Sequence, residues 1–170
     1  MRSHFGRSPI LRRVPVIVVG ADTPLGRPVT TALLGREGEV RAFVSDPSTA
    51  EDLRSRGVKV ALGDVSDASH VGGAAINAFC AVLLLECVVD DRERAFAAPG
   101  DAVASAWGPA LAEAGVHRVI VVPDEAGTVD PSPLLRAGCE HAVIDRMRHS
   151  PGEIPAEVAR LDDLAVLPRA

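Results

Sequence analysis

The sequence predicts an α/β fold, a parallel sheet layered between helices, and three observations predict it. Short apolar runs rich in Val, Ile and Leu alternate along the chain with segments whose apolar residues recur at helical spacing. The first run, Val16-Ile17-Val18-Val19, breaks at Gly20 and the chain restarts as a helix. Hydrophobic residues make up 47% of the chain but aromatic ones only 3%, so the core is aliphatic, as suits strands buried on both faces.

Each element follows in order. Thr23-Pro24 offers an N-cap and a proline at the first helical position, and Leu25, Val29, Leu33 and Leu34 supply an apolar face. Residues 39–44 read as the second strand, and 47–56 as a helix entered through Ser45-Asp46. Residues 58–62 form a third strand, 68–78 a helix carrying Gly72-Gly73, and 80–85 an apolar fourth strand. A long connection over 86–100 holds Asp90, Asp91, Arg92, Glu93 and Arg94; loops of that length in compact domains are commonly functional. A small-residue helix over 102–114 and a fifth strand over 117–122 come next. A loop to Pro133, a helix over 134–149 and a sixth strand over 164–167 complete the reading. Arg136, Glu140, Asp145, Arg146 and Arg148 fall on the polar face of that last helix.

Right-handed crossovers make 3-2-1-4-5-6 the expected strand order, with a crevice at the carboxyl ends of strands one and four. The segments that converge there are Gly20–Gly26, Ser45-Asp46, Gly63-Asp64, Glu86-Cys87 and Pro123-Asp124. One domain over residues 14–170 is expected, preceded by a basic arm over 1–13 that carries Arg2, His4, Arg7, Arg12 and Arg13. That arm is either solvated or a docking segment for an acidic partner. The net charge of -5 argues against nucleic-acid binding, and no apolar run approaches a membrane span, so a cytoplasmic protein is expected. Cys80, Cys87 and Cys139 lack metal-type spacing and read as reduced thiols, with a redox role for Cys87 as the alternative.

Four segments, Val19–Gly26, Val40–Pro47, Gly57–Val65 and Ala114–Val122, carry a resemblance to the NmrA-like, atypical short-chain dehydrogenase/reductase proteins over about residues 14 to 125. The resemblance implies a three-layer Rossmann domain that binds NAD or NADP. Gly20, Thr23, Leu25 and Gly26 would meet the pyrophosphate, Ser45 would lie beside the adenosine ribose, and Asp64 with Val65 would meet the adenine. Several residues depart from the family pattern. Thr23 replaces a glycine, Asp22 adds a carboxylate to the turn, and Ser45 stands where an arginine often receives the 2′-phosphate. Asp46 is one residue late for a ribose acceptor. The chain has no tyrosine and a single lysine, Lys59, so the Tyr-x-x-x-Lys pair is absent. Pro123 replaces a residue that is often serine, and Glu86 stands where the nicotinamide is expected, either as an acid-base group or as a solvated carboxylate.

Asp101, Glu113, Asp124, His117, Ser132, Cys139 and His141 lack the local context of a catalytic motif. Few residues follow the fifth strand from which to build a substrate lobe. Three readings result: a non-catalytic dinucleotide-binding sensor or accessory subunit, which these departures favour; a scaffold for a protein partner or a second copy; and a small NAD(P)H-dependent reductase. The third requires open space near Glu86 and Pro123.

Overall fold

The computed structural model describes residues 15–96, 99–136 and 138–169. The basic arm expected over residues 1–13 lies outside them. In chain order the elements are β1 (Val16–Val19), α1 (Gly26–Leu33), β2 (Val40–Val44), α2 (Pro47–Ser55), β3 (Lys59–Leu62), α3 (Ala68–Ala74) and β4 (Cys80–Leu84). A 3-10 turn (Leu85–Val88), α4 (Gly100–Glu113), β5 (Arg118–Val122), a second 3-10 turn (Ser132–Leu134), β6 (Glu140–Val143) and α5 (Ile154–Asp163) follow. All strand pairs are parallel, and the order is β3-β2-β1-β4-β5-β6, as expected from the crossover rule.

The sheet separates two aliphatic cores. On one face Val29 and Leu33 of α1, Ala50 and Leu53 of α2, and Ile154, Val158 and Leu161 of α5 pack on Val16, Val18, Val82 and Ile120. On the other, Val71 and Ala75 of the α3 segment and Val103, Trp107 and Leu111 of α4 pack on Ile17, Leu83 and Val121. β1 and β4 are buried along their whole length, which explains their unbroken apolar sequences. Trp107, with no exposed surface, also donates its indole N–H to the Val65 carbonyl at 2.8 Å and so fixes the β3–α3 connection.

The carboxyl-terminal third differs from the sequence expectation. The sixth strand is Glu140–Val143 rather than 164–167, and the helix expected over 134–149 does not form. His141 therefore lies on a strand. Pairing decides this outcome: the free edge of β5 offers a row of backbone donors and acceptors, and β6 satisfies it in the register Arg118↔Glu140 to Val121↔Val143. Gly138, at φ +82°, interrupts any helix through this stretch. The closing helix is α5, whose Ile154, Val158 and Leu161 recur at helical spacing and pack against α1 and the sheet. Residues 164–167 instead run as coil, where Leu167 is buried and donates its N–H to Glu140 at 3.3 Å. Fully buried Arg118 ties this end together by donating to the Leu161 and Asp162 carbonyls at 2.9 and 2.8 Å and to Glu140. A cation at the last carbonyls of α5 is where the helix dipole favours one.

Candidate functional site

The turn from Gly20 to Gly26 crosses the carboxyl end of β1 and divides the surface there in two. Gly20 has φ +84°, and a Cβ on it would lie 2.9 Å from Cys87 Sγ. A Cβ on Gly26 would sit 2.2 Å from the Gly20 carbonyl oxygen, so only glycine lets α1 start this close to the strand it leaves. Thr23 is 2% exposed and turned inward, its hydroxyl donating to the Gly20 carbonyl at 2.8 Å and accepting the Gly26 N–H at 3.0 Å. The hydroxyl thus braces the turn and caps the helix instead of projecting over it. The helix begins two residues after Pro24, a correction to the expected start, because Gly26 closes a tight turn on Thr23 first. The N–H groups of Leu25 and Arg27 find no acceptor among the described residues. Orphan donors at a helix start suit an anion, so the turn fits a diphosphate.

On the β4–β5 side of the turn lies a cavity of about 460 Å³. Its walls are Pro24, Leu25 and Pro28 of the α1 region, Leu84 and Glu86 after β4, Val122, Pro123 and Glu125 after β5, and Arg146, Pro151, Gly152 and Pro155 leading into α5. Glu86 is half-buried and accepts the Glu125 N–H at 3.1 Å, which links the two strand ends. Arg146 is not on a helix face, as the sequence suggested, but donates from Nε to the Pro123 carbonyl at 2.7 Å and is the one cation among the lining residues described.

On the β2–β3 side lies an open cleft of about 580 Å³, lined by Asp22, Ser45, Asp46, Pro47, Gly63, Asp64 and residues 90–93. Asp22 turns toward it. One carboxylate oxygen accepts the N–H groups of Ser45 and Asp46 at 2.7 and 3.1 Å, and the other meets Arg92 Nη1 at 2.9 Å. Arg92 reaches in from the long loop and also grips Asp90 through Nε and Nη2, both at 2.7 Å. Asp46 caps α2 by accepting from the N–H groups and hydroxyls of Ser48 and Thr49, and these bonds hold its carboxyl far below the usual range. Asp64 accepts from Ser66 N–H and hydroxyl at 2.8 and 2.6 Å and from the Ala95 N–H at 2.7 Å. Burial pushes the Asp64 pKa up, yet these hydrogen bonds outweigh it and hold the carboxyl low. The Phe96 N–H donates to Ser66 at 3.1 Å, so residues 90–96 form a strap across this side.

Of the residues singled out from sequence, Gly20, Thr23 and Gly26 build the turn, Leu25 and Glu86 line the cavity, and Ser45 and Asp64 line the cleft. Val65 is buried in the core and its carbonyl is taken by Trp107. Cys87 is fully buried beneath the turn, and burial pushes its thiol pKa well up, which argues against the redox alternative. Asp124 is 1% exposed and holds its own loop through Thr128 and Val129. No group of three or more His, Cys, Asp or Glu among the described residues is arranged to hold a metal, and no helix there is long and apolar enough to cross a membrane. The sequence does not mark Arg92, Arg146, Pro151 or Pro155 as site residues; the spacing of Ile154, Val158 and Leu161 is the available signal for α5.

A family model described as NAD(P)H-binding matches residues 20–142. The chain belongs to this NAD(P)H-binding family. Among solved structures it is similar to ChuY, an anaerobillin reductase from Escherichia coli O157:H7, with a TM-score of 0.67 and 18% identity over 90% of this chain and 92% of that one. It is also similar to the triphenylmethane reductase of a Citrobacter species complexed with NADP(H), with a TM-score of 0.54 and 16% identity over 88% of this chain and 46% of that one. An Escherichia coli NADPH-dependent quinone oxidoreductase complexed with NADPH gives a TM-score of 0.52 and 19% identity over 64% of this chain and 36% of that one. The chain thus spans under half the length of the latter two reductases. No curated protein matches the sequence. The NAD(P)-binding family read from the four segments, the Rossmann fold and the NAD(P) cofactor class are all borne out.

Proposed function

We propose that this protein is an NAD(P)H-dependent reductase of an apolar, conjugated acceptor. The observation that carries the reading is the cavity of about 460 Å³ between α1, the ends of β4 and β5, and the approach to α5. It supplies the open space beside Glu86 and Pro123 that a reductase needs and a sensor does not. One of its walls, with Arg146, Pro151, Gly152 and Pro155, comes from the segment after β6.

In this reading Gly20, Thr23 and Gly26 shape the turn, and the N–H groups of Leu25 and Arg27 meet the pyrophosphate. Ser45 and Asp64 flank the adenosine end. A bound reduced nicotinamide supplies a hydride. Pro24, Leu25, Pro28 and Pro155 hold the flat face of the acceptor and exclude water from it. Arg146 is positioned for an acceptor oxygen that gains negative charge, and the Glu86 carboxyl or solvent delivers the proton that completes the two-electron reduction. Support comes from the family membership and from ChuY, a chain of nearly the same span that is named a reductase. Quinones and triphenylmethane dyes, the acceptors named for the other neighbours, are conjugated electrophiles of the kind the cavity suits.

The test is oxidation of NADH and NADPH, followed by nicotinamide absorbance, against a panel of quinones, linear tetrapyrroles and triphenylmethane dyes. A Gly152→Trp variant belongs beside the parent. Gly152 lines the cavity and a Cβ there meets no atom within 4 Å, so a side chain can start from this position and its bulk competes with the acceptor for the space. Turnover that Gly152→Trp removes while nucleotide binding persists supports the reading. Saturable binding without turnover of any acceptor would instead favour the sensor or accessory role, and a folded protein that binds no dinucleotide would favour the scaffold.

A further inference from the structure

We propose that the β2–β3 cleft selects the unphosphorylated dinucleotide, NAD(H), over NADP(H), and that Asp22 is the residue that sets the choice. The inference rests on the cleft being the adenosine half of the site described above. It departs from the NADPH dependence named for the quinone oxidoreductase and from the NADP(H) bound by the triphenylmethane reductase.

A 2′-phosphate is a dianion that needs a cation or free N–H donors at the end of β2. Neither is available. The two backbone donors there, Ser45 N–H and Asp46 N–H, both point at one oxygen of Asp22, so the protein's own carboxylate occupies the anion position. Asp22 is held in place, its side chain 4% exposed and paired with Arg92. Arg92 is the one cation among the lining residues described, and it is spent on Asp22 and Asp90 at 2.9 and 2.7 Å. Arg94 is engaged by Asp90 and by the Cys87 and Asp90 carbonyls. Arg27, on the first turn of α1, is engaged by Thr49 and Asp52. The cleft therefore presents six carboxylates against one committed guanidinium.

Such a surface discriminates by repulsion. A phosphate entering it meets uncompensated negative charge, while the 2′- and 3′-hydroxyls of an unphosphorylated ribose are donors and find carboxylate acceptors. The turn carboxylate thus serves in place of an acidic residue at the end of β2, which here is Ser45. Asp46, the next residue, is consumed in capping α2.

The experiment is calorimetric titration of the purified chain with NADH and NADPH at matched ionic strength, together with ADP and adenosine 2′,5′-bisphosphate as probes of the adenosine half alone. The expected result is a preference for NADH of at least about tenfold, mirrored by ADP over the bisphosphate and compressed as salt rises. Asp22→Asn, which removes the charge but keeps an acceptor for Ser45 N–H, should narrow the preference several-fold. If that variant does not fold, the salt dependence of the parent's ratio carries the same information. NADPH binding as tightly as NADH or tighter overturns the proposal and leaves the reductase reading standing; a folded protein that binds neither overturns both.

Discussion

The two sides of the glycine turn are built from opposite materials. The cavity over β4 and β5 is walled by proline and aliphatic side chains, with Glu86, Glu125 and Arg146 as its charged groups. The cleft over β2 and β3 is lined by six carboxylates, of which Asp22, Asp46, Asp64 and Asp90 are already hydrogen-bonded within the protein. Apolar walls hold a flat molecule without dictating its orientation, and leave a few charges free for chemistry. A surface of carboxylates offers acceptors and repels anions, so its effect is to admit some ligands and turn away others. On the proposed reading, reaction and selection fall to different sides of one turn, which Gly26 lets pack close against the strand it leaves.

Gly26→Asp should break both sides at once and gives the largest expected effect. Even its Cβ would lie 2.2 Å from the Gly20 carbonyl, and the carboxylate adds negative charge at the start of α1. Dinucleotide affinity should fall below detection by titration, with thermal stability lowered by about 1–3 kcal/mol or more as the turn is overpacked. Unaltered NADH binding by a folded Gly26→Asp protein would remove the turn from the site.

Glu86→Gln sharpens the cavity side. The amide keeps an oxygen for the Glu125 N–H, so stability should hold, while kcat drops by about a hundredfold if this carboxyl is the proton donor. A kcat unchanged across pH would assign the proton to solvent.

Arg92→Ala tests the cleft side. It strips Asp22 and Asp90 of their shared partner, and leaving a largely buried carboxylate under-compensated costs about 1–3 kcal/mol. The melting midpoint should fall by roughly 2–4 °C per kcal/mol lost. A rise in NADPH affinity in this variant would contradict the charge argument, since the cleft becomes more negative.

The smallest effect is on the strap. Asp64 and Asp90 both have carboxyl pKa values held below the usual range: burial raises each, and hydrogen bonds from Ser66 and Ala95 in one case and from Arg92 in the other more than offset it. Because the folded values are depressed, their contribution is complete above the unfolded value and is lost as pH falls through the folded one. Amide exchange at Ala95 and Phe96 should therefore stay slow at neutral pH and accelerate below about pH 4, ahead of the sheet amides. Exchange that tracks global unfolding throughout would show that these carboxylates do not hold the strap.

The first five strands and their crossovers were legible because their information is local. Unbroken β-branched runs, the Gly20 break and helical spacing after it each act within a few residues of chain. The last strand and helix were not. Leu134, Leu135, Val143, Ile144 and Met147 fit a helical face, yet Met147 ends 95% exposed and Val143 39% exposed on the edge strand. The winning interaction, β6 on β5, joins residues distant in sequence and leaves no local periodicity to read. The site divides in the same way. Its glycines were visible, whereas Arg146 was taken for a solvated helix face and Asp22 for a burden on the turn.

By itself, then, the sequence determined the doubly wound sheet, its strand order and the glycine turn at the end of β1, because strand burial and backbone geometry at glycine are written in adjacent residues. The tertiary structure alone decided what surrounds that turn. Asp22 meets Arg92 across 70 positions of chain and Arg146 meets Pro123 across 23, so folding brings each pair together and decides which charges are cancelled and which space stays open.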